Sequence, residues 1–233
     1  YRSSIPSMMD FPLHSALVRS LDSKESWNSG IGDVYRVIAN DFVYSDPYNL
    51  VVFAGNHDMQ RIYSQLNHDF DLYKIAMSFI LTTRGIPQIY YGTEIIMEST
   101  GDHGELRKDF PGGWKGDTVN AFSGKGLSKK QAESQNFLKT LLNWRKHSLA
   151  ITKGNLIHYP PTDGVYVYFR LYENDLVMVL VNNNLKPTKV NLERFYEVLG
   201  KSKIGKSVIG NVEYDLKQDI KIDKKSVLVL EVS

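Results

Sequence analysis

The sequence contains no cysteine, which excludes disulfide bonds, thiolate metal sites and a cysteine nucleophile. It also lacks a strong excess of either charge, since 28 Lys and Arg against 26 Asp and Glu give a formal net charge of +2. This balance, without a long basic run, argues against nucleic acid as a partner. No apolar run reaches membrane-spanning length. The chain begins at Tyr1 rather than at methionine, and we interpret it as a fragment or a processed product.

The composition is that of an ordinary globular protein, with 42% hydrophobic and 23% charged residues among 233. This length allows a sizeable core and predicts two domains. Aromatic side chains are abundant and suit both the faces of sugars and any protein core, and composition alone favours the core.

The first part of the chain alternates between helical and extended patterns, which is typical of a parallel α/β fold. The spacing of apolar residues predicts helices over 13–21, 31–42, 69–83 and 131–147. Short strands are predicted over 7–12, 50–55 and 86–92, and the last two are apolar enough to be buried. Arg84 and Gly85 predict the end of the third helix, as a cation in its last turn followed by a terminating glycine.

Alternation along 86–92 predicts that Tyr90 and Tyr91 face opposite sides, one the interior of a barrel and the other its helices. Three parallel strands would leave two open edges, whereas a closed (β/α)8 barrel needs eight strands and typically about 250 residues. If the fold is a barrel, its other strands lie outside this chain. From about residue 148, short alternating apolar runs between turn clusters predict an antiparallel β domain.

A polar cluster, Asn56, His57 and Asp58, directly follows the apolar run 50–55, and Arg61 stands three residues later. Such side chains cannot be buried without partners, and the carboxyl end of a parallel barrel strand is where active sites lie. We therefore expect the chemistry at this cluster. Two roles stay open for Arg61: it pairs with Asp58 or another carboxylate of the site, or it is a solvated cation at the start of a helix.

Four segments resemble the α-amylase family of glycoside hydrolases. Residues 53–61 resemble its fourth conserved segment, and residues 85–94 resemble the segment on its last barrel strand. Residues 9–13 resemble the sixth strand of its cyclomaltodextrinase and neopullulanase relatives, and residues 107–114 are similar to a loop of the Bacteroidetes members of that group. The terminal β domain resembles the C-terminal sandwich of the family, so the resemblance covers nearly the whole chain.

The resemblance implies an α/β fold: the C-terminal part of a (β/α)8 TIM barrel over 1–147, followed by an antiparallel β-sandwich domain over 148–233. It implies a retaining hydrolase that cleaves α-1,4-glucosidic bonds in cyclodextrins, pullulan, starch or maltooligosaccharides. No segment like those that carry the nucleophilic aspartate and the acid/base glutamate of the family is present. Because a retaining glycosidase needs both carboxyl groups, about 5–5.5 Å apart, we expect this chain to be inactive without the N-terminal part of the same enzyme.

The resemblance makes Asp58 a third carboxylate that stabilises the oxocarbenium-like transition state. The resemblance makes the neighbouring His57 a donor to a sugar hydroxyl, and the alternative role for it is general base for a hydrolytic water. The substrate-binding residues implied by the resemblance are His57, Asn56, Arg61, Arg107 and Trp114. Asn56 is expected to order the end of the strand more than to touch substrate. Trp114 either stacks on a sugar or packs its own loop.

No cofactor is required by this interpretation. Asp102, Asp109 and Asp117 have glycine neighbours and allow a calcium site, although their spacing fits no standard calcium loop. The expected partners are an α-glucan oligosaccharide or a cyclodextrin, with no nucleic acid and no membrane span. The family resemblance favours a periplasmic location, and a cytoplasmic one is the alternative.

Two other functions stay open. The β domain could be a non-catalytic glucan-binding module that contacts sugar through its aromatic residues, Tyr166, Tyr168, Phe169 and Tyr172. An α-glucan transglycosylase or isomerase on the same scaffold would share the Asn-His-Asp segment and differ in water access.

Overall fold

The computed structural model of the chain describes residues 7–24, 26, 29–99 and 101–233, so the first six residues of the predicted barrel portion lie outside the described residues. The helices in these ranges are α1 Phe11–Asp22, α2 Gly32–Ala39, α3 Ile62–Gln65, α4 Phe70–Thr82, α5 His103–Leu106, α6 Lys129–His147, α7 Leu149–Lys153 and α8 Tyr196–Leu199. The strands are β1 Val51–Phe53, β2 Ile86–Gln88, β3 Asn155–Thr162, β4 Val165–Tyr172, β5 Asp175–Asn182, β6 Thr188–Val190, β7 Ile204–Ser207, β8 Glu213–Asp215, β9 Ile220–Ile222 and β10 Ser226–Val232. None of these helices is both long and apolar enough to cross a membrane.

Parallel strand pairing organises the first part of the chain. β1 pairs with β2, with Val51 opposite Ile86, and Met9 forms a parallel bridge to Val51 on the other side. The three segments therefore lie side by side in chain order, as successive strands of a parallel barrel do. The strand predicted over 7–12 is reduced to that bridge, because Asp10 already caps α1.

β2 is shorter and more exposed than its apolar composition predicts. It ends at Gln88, and Ile86 is 48% exposed because, within the described ranges, β2 pairs only with β1. The prediction of a buried strand over 86–92 is therefore wrong for β2. For β1 it holds, since Val52 and Phe53 are both buried.

Arg84 is fully buried and lies beyond the end of α4 at Thr82, so the prediction that it is a cation in the last turn of that helix is wrong. Its guanidinium donates to Asp10 Oδ2 at 2.6 Å and to the two carboxylate oxygens of Asp41 at 2.7 and 2.6 Å. Asp10 is also the N-cap of α1 and accepts a bond from the backbone N of Leu13. This ion cluster therefore connects the start of α1, the segment that follows α2 and the start of β2.

The second part of the chain is an antiparallel β-sandwich. A six-stranded sheet has the order β3-β4-β5-β10-β7-β8, and β6 pairs with β9 in a two-stranded ribbon. A hydrophobic cluster joins one face of the large sheet to the ribbon and to the segment around α8, and it includes Val167, Phe169, Phe195 and Ile222. The β part therefore has the layered architecture that the sequence predicts.

The opposite face of the large sheet packs against the helices of the barrel portion. Tyr166 and Tyr168 are fully buried there, and the Tyr168 hydroxyl lies 2.5 Å from Thr82 Oγ1 at the end of α4. Phe169, on the other face of the sheet, is equally buried, and Tyr172 is only partly exposed. The hypothesis that these aromatic residues form a sugar-binding surface is therefore wrong, because the rings of Tyr166, Tyr168 and Phe169 are buried in the core.

α4 is contacted by the β-sandwich at both ends. At its start, Lys225 Nζ lies 2.7 Å from Oδ2 of Asp69, the N-cap residue. Near its end, the buried Arg170 of β4 donates to four backbone carbonyls, those of Thr82, Thr83, Ile151 and Gly154. These carbonyls lie at the carboxyl ends of α4 and α7, where the helix dipoles favour a cation. Burial lowers the pKa of Arg170 to about 10, so it stays charged at neutral pH.

We predict that Arg84→Met lowers the free energy of unfolding by about 3–5 kcal/mol, because Asp10 would remain buried without its counter-charge. Urea denaturation of the 233-residue chain measures this change. The matched control is Arg36→Met, which removes an exposed ion pair with Asp33 and should cost less than about 1 kcal/mol. Similar losses in the two variants would contradict the prediction.

Candidate active site

The polar cluster predicted from the sequence lies at the carboxyl end of β1. Asn56 is buried, and its Oδ1 accepts a bond from the backbone N of Asp58 at 2.8 Å. This local bond is an Asx turn, which reverses the chain directly after the strand. The turn presents the side chains of His57 and Asp58 to solvent, and they are 60% and 61% exposed. Asn56 therefore shapes the site from below, and its neighbours form the open surface.

His14 of α1 supports the end of β1 from the side. Its ring stacks on Phe53 with 5.1 Å between ring centroids, and its Nε2 lies 3.2 Å from the carbonyl oxygen of Ala54. Burial lowers the pKa of His14, against a smaller opposing effect of the bond to Ala54. The neutral imidazole is thus the favoured form in the folded chain. This residue was not singled out from the sequence, where it is one polar residue on an amphipathic helix.

Asp58 lies between a histidine and an arginine. Its Oδ1 accepts a bond from Arg107 Nη2 at 2.9 Å, and its Oδ2 lies 3.2 Å from His57 Nε2. Both partners are themselves solvent-exposed, so all three side chains are accessible to a ligand. A carboxylate oriented in this way can stabilise positive charge that develops on a bound molecule.

Arg61 takes neither of the two roles that its place in the sequence left open. It is only 4% exposed, and its guanidinium donates to the carbonyl oxygens of Tyr91 at 2.6 Å and Leu106 at 3.0 Å. The guanidinium that pairs with Asp58 is that of Arg107, which lies 49 residues away in sequence. Sequence proximity favoured the wrong arginine, because only the fold brings the loop with Arg107 back to the end of β1.

Tyr90 and Tyr91 do not face opposite sides. Their rings lie 4.6 Å apart, and the Arg61 guanidinium carbon lies 4.8 and 4.9 Å from the two ring centroids. β2 ends at Gln88, so the alternation of a strand no longer governs these residues. Both rings instead make cation–π contacts with one buried guanidinium.

The loop that follows the strands carries the remaining predicted residue, Trp114. Its side chain is 66% exposed, and its backbone N donates to Oδ2 of Asp117 at 3.1 Å. These contacts are local to the loop. A stacking contact between Trp114 and a sugar ring therefore stays a prediction.

Two of the three carboxylates considered for calcium, Asp102 and Asp117, accept hydrogen bonds from backbone N–H groups. Asp102 caps α5 and accepts bonds from the backbone N of Gly104 and of Glu105, whereas Asp117 accepts from Gly112 and Trp114. Among the residues that the structure describes, no group of three or more His, Asp or Glu side chains is placed to hold a metal ion. Calcium binding stays a prediction.

Comparison with known protein families gives two matches that together cover most of the chain. The family described as alpha amylase, catalytic domain, matches residues 2–154. The family described as cyclo-malto-dextrinase C-terminal domain matches residues 156–231.

Curated relatives include the cyclomaltodextrin glucanotransferase of Thermoanaerobacterium thermosulfurigenes, which is 27% identical over 193 residues, covering 83% of this chain and 24% of that protein. The enzyme of the same name from Niallia circulans is 30% identical over 179 residues, covering 77% of this chain and 22% of its own length. The chain thus spans about a quarter of these relatives.

Solved structures with a similar fold include the alpha-amylase of Geobacillus thermoleovorans complexed with acarbose, with a TM-score of 0.77 and 23% identity. The alignment covers 98% of this chain and 48% of that one. The maltogenic amylase of S. marinus aligns with a TM-score of 0.73 and 19% identity, covering 99% and 29%. At these identities the likeness concerns the fold alone.

We predict that Asn56→Ala lowers the free energy of unfolding by about 1 kcal/mol, because the Asp58 backbone N loses its acceptor in a half-buried turn. The matched change His57→Ala removes an exposed side chain and should stay within about 0.5 kcal/mol. Urea denaturation of both variants measures the difference. A greater loss of unfolding free energy in His57→Ala than in Asn56→Ala would contradict the prediction that Asn56 is the structural residue of the two.

We also predict that stability falls as the pH is lowered, in part through His14. Burial lowers its pKa in the folded chain below the ordinary value of 6.5, so between these two values the unfolded chain binds a proton that the folded chain does not. The stabilisation is complete above pH 6.5 and is lost as the pH falls towards the lowered pKa.

Denaturation curves at several pH values between 8 and 5 should show a weaker pH dependence for His14→Gln than for the unchanged chain. Some dependence should remain, because burial also lowers the pKa of His158. His147→Gln, on the exposed end of α6, serves as the control. If the unfolding free energy of His14→Gln depends on pH as strongly as that of the unchanged chain, the proposed contribution of His14 is wrong.

Proposed function

The chain belongs to the alpha amylase family, and on this premise we propose that it is the carboxyl-terminal part of a retaining glycoside hydrolase. The substrates proposed are compounds with α-1,4-glucosidic bonds: cyclodextrins, pullulan, starch or maltooligosaccharides. The observation that carries the proposal is the exposed carboxylate of Asp58 at the end of β1, oriented by Arg107 and His57. The match of residues 156–231 to a cyclo-malto-dextrinase domain supports this substrate class.

The proposed role of Asp58 is electrostatic. Glycoside cleavage passes through a transition state in which the sugar ring acquires positive charge, and a fixed carboxylate stabilises that charge without reorganising. Arg107 fixes one carboxylate oxygen and His57 lies beside the other. Both partners also carry N–H groups that can donate to sugar hydroxyls. We propose that the three residues together bind the sugar at the bond that is cleaved.

The attacking and proton-donating groups are proposed to come from the N-terminal part of the same enzyme. A retaining reaction needs two carboxyl groups about 5–5.5 Å apart, whereas the side chains that contact Asp58 are a histidine and an arginine. The half-exposed edge of β2 at Ile86 offers backbone groups to which a further parallel strand can add. The chain on its own is then one wall of the active site.

Transglycosylation is the second candidate, because relatives at 27–30% identity carry the name cyclomaltodextrin glucanotransferase. A transferase would use the same Asp58 and differ in the acceptor, a sugar hydroxyl in place of water. Product analysis distinguishes the two, since hydrolysis shortens maltooligosaccharides and transfer also yields longer or cyclic ones.

We predict that the 233-residue chain alone shows no turnover of cyclodextrin or maltooligosaccharide, and that turnover appears when the preceding sequence of the same gene is restored. In the restored protein, Asp58→Asn should lower kcat by about 10²–10³-fold, the loss typical of one preorganised transition-state contact. Asp175→Asn, at an exposed position in β5, is the matched control and should leave kcat unchanged.

Reducing-sugar release and chromatography of the products measure both rate and reaction type. Turnover by the chain alone would refute the split active site. An unaffected kcat in Asp58→Asn would refute the role of that carboxylate.

A further inference from the structure

The loop that carries Arg107 is bonded on both sides of that residue. The carbonyl oxygen of Leu106 accepts two bonds, from Arg61 Nη2 at 3.0 Å and from the Tyr90 hydroxyl at 3.1 Å. The carbonyl oxygen of Lys108 accepts a bond from the Tyr91 hydroxyl at 2.7 Å. The backbone on either side of Arg107 is therefore fixed by side chains from the start of α3 and from the segment that follows β2.

Arg61 is itself fixed in place. Its guanidinium is buried against the two tyrosine rings and donates through Nη1 to the carbonyl oxygen of Tyr91. Its backbone N donates to Ser99 Oγ at 3.0 Å. A guanidinium presents several donors in a rigid planar fork, so one side chain can hold two carbonyls at a set separation. Lysine has no such geometry.

Arg107 faces a different environment from Arg61. Its side chain is exposed, and its carboxylate partner, Asp58, is exposed as well. Ion pairs at exposed positions are usually weak, because two long side chains lose freedom when they adopt one geometry. Fixing the backbone on both sides of Arg107 reduces the freedom that remains to be lost.

We propose that Arg61, Tyr90 and Tyr91 form a clamp that positions Arg107 against Asp58. Arg61 is thereby a positioning residue of the site, in place of the substrate contact that the family resemblance implies. The role of the clamp in catalysis rests on the function proposed above. Its structural effect on the Arg107–Asp58 pair is independent of that function. The clamp holds the guanidinium of Arg107 where the hydroxyl groups of a glucan bound at Asp58 would meet it.

The structural link is tested by NMR of the arginine side chains in the 233-residue chain. The guanidinium signals of Arg107 are assigned by their loss in Arg107→Lys, and Asp58→Asn gives the reference for a released Arg107. We expect Arg61→Lys to shift the Arg107 signals most of the way to that reference. Tyr91→Phe, which removes one hydroxyl and keeps the ring, should shift them part of the way.

Two matched controls accompany these variants. Arg36→Lys changes an exposed arginine of α2, and Tyr196→Phe changes an exposed tyrosine of α8, so neither should move the Arg107 signals. If Arg61→Lys fails to fold, Tyr91→Phe still decides the question. Arg107 signals that remain as in the unchanged chain, in a folded clamp variant, would overturn the proposal.

The catalytic meaning is tested in the restored protein by a double-variant cycle. Arg61→Lys and Arg107→Met should each lower kcat/KM by about 10- to 100-fold, as expected when a binding group is misplaced by about 1 Å. The combination should lower it little further, because both changes remove the same contact. Additive losses would overturn the positioning role. If the restored protein has no turnover, the proposed function fails, and the NMR result still decides the clamp.

Discussion

The buried ion cluster of Arg84 with Asp10 and Asp41 is the constraint on which the rest of the barrel portion depends. Such clusters add little net stability over an apolar replacement, but each member is costly to remove once the others are buried. Arg84 is followed by Gly85, which has a φ of +98°. A Cβ at this position would lie 2.7 Å from the Leu50 carbonyl oxygen, so only glycine lets the chain enter β2 here. The start of α1 and the start of β2 are thereby fixed to each other.

Two series of residue contacts connect this ion cluster to the site around Asp58. Along α1, His14 reaches Phe53 and Ala54 and so supports the turn that presents Asp58. Beyond β2, Tyr90 and Tyr91 fix the loop that brings Arg107 to the same carboxylate. The two residues of the Asp58–Arg107 pair are therefore positioned by separate elements that share one buried origin. The pair can keep its geometry although both side chains face solvent.

The sequence predicted the helices well, because apolar spacing along a helix is a local property, and α1, α4 and α6 begin and end within about two residues of the expected bounds. Local patterns failed where the partner is distant. Arg84 has the sequence position of a helix-ending cation, but its carboxylates lie 43 and 74 residues away. The six consecutive buried residues of β4 show a strand covered on both faces, for which the apolar run of the first five was the available signal. Polar residues at a strand end were a sound guide to the site, and the identity of the arginine that reaches it required the fold.

The bonds of Arg170 to four main-chain carbonyls have an evolutionary consequence. Recognition of backbone oxygens is indifferent to which side chains the two helix ends carry, provided that the helices stop at the same place. Packing restrains those ends separately, since Thr82 and Ile151 are buried and a Cβ on Gly154 would clash with the Ala150 carbonyl oxygen. The arginine itself has no equivalent substitute. Among homologous sequences, variation at this boundary should therefore be limited on the helical side by the space available to each side chain, and at Arg170 by the geometry of four bonds.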